Sequence, residues 1–129
     1  MDDKQKQVIM AVEDNEDNRD LIVKILSHRG YDVIGVSNGS EALARLAEVA
    51  PDLVLMDINL PGMDGYEVTR RIRDNEVFAK VPIVALTAHA MHGDREKSLA
   101  AGCNAYVAKP IDVHTFPDII AGLLSGEKR

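Results

Sequence analysis

Four short apolar runs in this chain end in residues capable of chemistry. Val8-Ile9-Met10-Ala11-Val12 leads into Glu13-Asp14, and Leu53-Val54-Leu55-Met56 leads into Asp57. Ile83-Val84-Ala85-Leu86 leads into Thr87, and Ala105-Tyr106-Val107-Ala108 leads into Lys109-Pro110. Any one of these is ordinary, since acidic residues cap helices and a lysine after a strand is usually solvated. Brought together, three carboxylates repel one another and raise at least one pKa unless a cation is present. Oxygen ligands without Cys or converging His point to Mg²⁺ or Mn²⁺. A carboxylate beside such an ion can attack a phosphoryl donor in line and form an acyl phosphate. Lys109 would neutralise one phosphoryl oxygen and the Thr87 hydroxyl would bond another. The chemistry is phosphoryl capture on an aspartate.

The elements that must position these groups alternate five times between an apolar run and an amphipathic stretch, the pattern of a (βα)5 α/β fold. The first, third and fourth runs are apolar throughout, as strands covered on both faces are. Val33-Ile34-Gly35-Val36 and Ala105-Tyr106-Val107-Ala108 are weaker and belong nearer the sheet edges. Leu21, Ile22, Ile25 and Leu26 recur at helical spacing before Gly30, and Leu43, Leu46, Ala47 and Ala50 follow Asn38 and Glu41. Asp64 with Glu67 opens a third helix and Asp94 caps a fourth ending at Gly102; the last starts either after Asp112, where Pro117 would delete a backbone hydrogen bond, or later at Thr115 with Asp118. Such a chain forms a doubly wound parallel sheet with right-handed crossovers, its ligand site beyond the carboxyl ends of the strands.

The 129 residues allow one domain, 1–129 with a core of about 8–124, and no effector module is expected after it. A net charge of −6 is the wrong sign for phosphate backbones or anionic lipid, so nucleic acid and membrane are not expected partners. The single Cys103 can form no internal disulfide and reads as a small buried thiol in a reducing cytosol. The polar start Asp2-Asp3-Lys4-Gln5-Lys6-Gln7 has no apolar run of the secretion-signal kind, and a cytoplasmic protein is expected.

In order, spacing and placement, Val12-Glu13-Asp14-Asn15, Leu55-Met56-Asp57-Ile58-Asn59-Leu60-Pro61-Gly62-Met63-Asp64-Gly65, Ala85-Leu86-Thr87-Ala88 and Ala105-Tyr106-Val107-Ala108-Lys109-Pro110 resemble the receiver domains of two-component response regulators, specifically the single-domain chemotaxis and cell-cycle kind. The likeness runs from about Val8 to Leu124. It implies a flavodoxin-like receiver fold with strand order 2-1-3-4-5 and phosphorylation of Asp57 by the phosphohistidine of a sensor histidine kinase or histidine phosphotransfer protein. It further implies that Glu13, Asp14, Asp57 and the Asn59 backbone carbonyl hold Mg²⁺, and that Thr87 and Tyr106 form a switch pair. Lys109-Pro110 falls at a position that is cis in the family, and Pro61 and Gly65 serve the turn after Asp57. Asn59 and His89 flank the path of the hydrolytic water in receivers and are expected to tune dephosphorylation. Asn15, Asn18, Arg19 and Ile22 resemble the surface that docks on a kinase's helical bundle.

With no effector domain expected, a downstream protein target must read the phosphorylated state, and the resemblance to receivers implies that it does so at the face of the fourth helix, fifth strand and fifth helix. A phosphorelay intermediate, an allosteric controller and a phosphate sink are all compatible with the motifs, as is a docking module that is never phosphorylated. A flavodoxin-like electron carrier would need hydroxyl and glycine donors after the first strand, where Glu13-Asp14-Asn15-Glu16-Asp17-Asn18 would repel a phosphate. A phosphohydrolase of the aspartyl type would carry a second Asp where Asn59 stands. His89 and His92 lack the third ligand that a metal pair needs.

Overall fold

The computed structural model describes residues 6–88 and 93–126, and within them the chain alternates strand and helix from end to end. The strands are β1 (Val8–Val12), β2 (Asp32–Val36), β3 (Leu53–Asp57), β4 (Ile83–Thr87) and β5 (Ala105–Ala108). The helices are α1 (Glu16–Ser27), α2 (Gly39–Val49), α3 (Gly65–Asp74), α4 (Asp94–Ala101) and α5 (Phe116–Leu124), with a short 3-10 turn at Glu76–Phe78. All pairings are parallel, in the order β2-β1-β3-β4-β5. The two weaker runs are the edge strands, where fewer neighbours demand apolar side chains.

Alternate side chains of each central strand face opposite sides. Met10, Val12, Val54, Met56, Ile83 and Ala85 pack with Ala42 and Leu46 of α2 and Val68 and Ile72 of α3. Ile9, Ala11, Leu53, Leu55, Val84 and Leu86 pack instead with Ile22 and Leu26 of α1 and Phe116 and Ile120 of α5. The two apolar layers clamp the parallel sheet between them and fix the carboxyl ends of its strands along one rim.

Helix starts follow local chemistry. Asn38 Oδ1 accepts from the Glu41 N–H at 2.8 Å, while Glu41 Oε1 takes the Ser37 N–H at 3.0 Å, a capping box displaced by one residue. Asp64 Oδ1 caps Glu67 at 2.9 Å. Asp94 is the first residue of α4 and not its cap; that place belongs to Gly93, whose φ of +81° suits glycine. Thr115 stands at the cap of α5 but makes no side-chain cap bond, because its backbone is already helical. Asp112 Oδ1 does that work one turn earlier, accepting from His114 at 2.8 Å and Thr115 at 3.3 Å. Pro117 lies in the first turn, where a missing N–H breaks no helical bond.

Arg73 at the end of α3 ties three elements together. Its guanidinium donates to the Gly102 carbonyl at 2.9 Å, the Phe78 carbonyl at 3.1 Å and Asn104 Oδ1 at 2.7 Å. Asn104 Oδ1 also accepts from the Ile83 N–H at 2.8 Å, which joins the fork to the start of β4.

Candidate functional site

Glu13 directly follows β1, Asp57 ends β3, Thr87 ends β4 and Lys109 directly follows β5, so the parallel sheet delivers all four to one rim. Glu13, Asp57 and Thr87 are buried and Asp14 is exposed. Lys109 Nζ stands 3.1 Å from Glu13 Oε1 and 3.2 Å from Asp57 Oδ2. Carboxylate oxygens of Glu13, Asp14 and Asp57 lie within 4.8 Å of one another.

Backbone donors hold the two buried carboxylates. The Asn15 N–H donates to Glu13 Oε2 at 3.1 Å and the Asn59 N–H to Asp57 Oδ1 at 3.0 Å. Glu13 Oε1 is buried, and its partner is the ammonium of Lys109 at ion-pair distance. Burial, and after it the neighbouring Asp57, pushes the Glu13 carboxyl up to about 7. Burial acts to lower the Lys109 ammonium, yet the charges of Asp57 and Glu13 outweigh it and raise the group above its ordinary value. The site is therefore short of positive charge.

The three clustered carboxylates, two of them buried, with one cation among them fit a small divalent ion. Mg²⁺ takes oxygen ligands, typically one or two carboxylates with waters and a phosphate oxygen, and this cluster offers only carboxylate oxygens, all within 4.8 Å of one another.

The turn after Asp57 is built on Gly65, whose N–H donates to the Ile58 carbonyl at 3.0 Å. A Cβ at Gly65 would collide with the Asp57 carbonyl oxygen and come within 2.8 Å of Ile58 Cα. The Lys109-Pro110 peptide is cis, as the resemblance implied. Tyr106 pairs in register with Ala85 and Thr87 with Ala108, which puts Tyr106 and Thr87 on the same face of the sheet. The half-buried Tyr106 ring borders a cleft with Ser98 and Leu99 of α4 and Ile119 of α5.

The expected docking set divides. Asn15 and Asn18 are exposed at the start of α1, while Arg19 is half-buried with its Nη1 donating to the Glu13 carbonyl at 2.9 Å. Ile22 does not belong to a surface at all: it is fully buried against the sheet. The adjacent Leu21 is 40% exposed and borders the crevice with Glu13, Asn18 and Lys109. Asn59 has an exposed side chain beside Asp57, and His89 and His92 lie outside the described residues. Cys103 is buried 3.8 Å from Thr69 Oγ1, and burial pushes its thiol up, so it packs as an inert core residue.

Residues 9–121 match the response regulator receiver domain family, and the chain belongs to it. It is 44% identical over 116 residues to the polar-differentiation response regulator DivK of Brucella anthropi, covering 90% of this chain and 94% of that protein. Among solved structures it resembles the receiver domain of the sensor histidine kinase PA1611 of Pseudomonas aeruginosa PAO1, at 41% identity and TM-score 0.87, with 95% of this chain and all of that one covered. That structure has a magnesium ion coordinated in its active site cleft. The chemotaxis response regulator CheY4 of Vibrio cholerae superposes with TM-score 0.86 at 26% identity, covering 91% of this chain and 98% of that one. Among the described residues no helix is long and apolar enough to cross a membrane.

Proposed function

We propose that this chain is a cytoplasmic response regulator receiver that takes a phosphoryl group from a phosphohistidine onto Asp57. The donor is a sensor histidine kinase or a histidine phosphotransfer protein, and a downstream protein reads the product. The observation that carries the proposal is Lys109 Nζ lying 3.2 Å from a buried strand-end Asp57 carboxylate beside two further carboxylates. An Asp57 oxygen forms the new P–O bond as the P–N bond breaks, and the imidazole leaves with the bonding electron pair. Lys109 exchanges its contact with Asp57 for one with a phosphoryl oxygen, and the Thr87 hydroxyl donates to another. Glu13, Asp14, Asp57 and the Asn59 carbonyl would hold Mg²⁺ or Mn²⁺, which when bound supplies the positive charge that Lys109 alone cannot.

Thr87 and Tyr106 carry the signal outward. A hydroxyl drawn toward the phosphoryl group vacates space on the sheet face it shares with Tyr106, and the ring follows inward beside α4. Asn15, Asn18 and Leu21 meet the donor, with Leu21 supplying the apolar contact expected of Ile22. The exposed Asn59, together with His89, sets how readily water reaches the acyl phosphate. The name of the 44% identical relative favours a role in differentiation over one in motor control.

The experiment is incubation with acetyl phosphate, with and without Mg²⁺, followed by intact mass for wild type and Asp57→Asn. The expected result is one added phosphoryl group in wild type with Mg²⁺ and none in the variant. If no adduct forms and a beryllofluoride titration also produces no change, the chain is a docking module that is not phosphorylated.

A further inference from the structure

Glu13 is the first residue past the β1–β2 and β1–β3 ladders, which both end at Val12. Its N–H still donates to the Val36 carbonyl at 3.0 Å, but its own carbonyl oxygen lies beyond the last ladder pair. Arg19 supplies the missing donor, its Nη1 reaching back from the first turn of α1 to that oxygen at 2.9 Å. The contact closes a ring of hydrogen bonds. Glu13 Oε2 accepts from the Asn15 N–H at 3.1 Å, and the Asn15 carbonyl accepts from the Arg19 N–H at 2.9 Å. Asp14 sits inside this ring with its carboxylate exposed.

Strand β2 keeps a path open for the arginine. Gly35, paired with Ala11, faces the Arg19 stem so closely that a Cβ there would lie 3.1 Å from both Cγ and Cδ. A glycine inside a strand gives up packing, and close approach by another chain segment is one reason for it to stand there. Arg19 is thus packed below and bonded above.

We infer that Arg19 is a positioning residue for the phosphoryl-transfer site: by holding the Glu13 carbonyl it sets the β1–α1 turn so that the Glu13 and Asp14 carboxylates face Asp57. The inference rests on the function proposed above and assigns Arg19 a task different from donor docking. Groups one step behind metal ligands typically change metal affinity about 10–100-fold when removed.

Mn²⁺ titration of the purified chain, read by the paramagnetic resonance of the free ion, separates these possibilities. Arg19→Ala is expected to weaken binding about ten-fold, with a smaller loss in Arg19→Lys, whose ammonium can still donate. Gly35→Ala displaces the stem and weakens binding in the same direction. The double variant Arg19→Ala/Gly35→Ala binds no more weakly than Arg19→Ala, because the added methyl then meets nothing. Melting without metal is recorded alongside; a purely structural role lowers it and leaves affinity at lower temperature untouched. Unchanged Mn²⁺ affinity in Arg19→Ala overturns the inference, even if transfer from a kinase slows. Should Arg19→Ala not fold, wild-type affinity in both Arg19→Lys and Gly35→Ala overturns it equally. Absence of saturable Mn²⁺ binding in wild type overturns the phosphoacceptor proposal itself, and this inference with it.

Discussion

The backbone N–H of Lys109 donates to the carbonyl oxygen of Thr87 at 2.8 Å. This bond extends the β4–β5 ladder one step past its last paired residues, so the ammonium and the hydroxyl that would meet a phosphoryl group share one rigid frame. Fixing the backbone that carries both donors before the reaction limits the rearrangement to their side chains, and preorganised donors are where electrostatic catalysis gains most.

Replacing Lys109 with Met keeps the ladder bond and removes the charge. Phosphorylation by acetyl phosphate should slow by about 100-fold, the cost of losing one preorganised donor. The measurement is the rate of adduct formation by mass at saturating Mg²⁺, and a rate within a few-fold of wild type contradicts the role given to the ammonium.

The raised Glu13 carboxyl links stability to pH. An unfolded glutamate releases its proton near 4.5, whereas Glu13 in the folded chain holds it to about 7. Between those values the folded state binds the extra proton, so this contribution is fully present below about 4.5 and is lost as pH rises through about 7. Urea unfolding in chelator should therefore show a stability that falls between about pH 5 and pH 8. Glu13→Gln flattens that part of the profile, and Mg²⁺ at the upper pH restores wild type because it binds the folded state alone.

A methyl group at Gly65 has nowhere to go, with the Asp57 carbonyl and Ile58 Cα both in its path. Gly65→Ala should cost about 1–3 kcal/mol and slow phosphorylation as well, since relief of the clash moves Asp57. Gly62→Ala is the control: its φ of +79° makes a side chain strained, but nothing lies within 4 Å of the new carbon. That variant should lose about 1–2 kcal/mol with no steric push on the acceptor.

Arg73→Ala leaves the Gly102 and Phe78 carbonyls and Asn104 short of a charged donor. The expected cost is about 2–3 kcal/mol, seen as a lower urea midpoint at unchanged slope. Arg73→Lys recovers little of it, because an ammonium cannot reproduce the planar fork.

The strand-end set was readable from sequence because strands covered on both faces are continuous apolar runs, and the residue after each run must sit at the rim. Glu13, Asp57, Thr87 and Lys109 followed from that alone. Ile22 was misplaced because helical spacing identifies a face without saying which of two adjacent residues points to the centre of the sheet; Leu21 turned outward in its stead. The anchoring task of Arg19 left no mark in composition, and neither did Arg73. An arginine on a helix reads as solvated until folding brings carbonyl oxygens from distant segments to it. The 3-10 turn at Glu76–Phe78 was overlooked for being too short to show a period, although Asn75 before it caps Val77 at 3.0 Å.

Lys109 comes from the last strand in the sequence and Glu13 from the first, yet their side chains meet over Asp57 from the third. The trio spans residues 13–109 and forms only when the first, third and fifth strands stand in one sheet, so a molecule with β5 detached keeps its acceptor while losing its ammonium. If Asp57 is the acceptor proposed above, competence to receive a phosphoryl group reports on assembly of the sheet from its first strand to its fifth. Under the proposed function, a copy whose β5 has not joined the sheet would present the acceptor without the cation that meets the phosphoryl group.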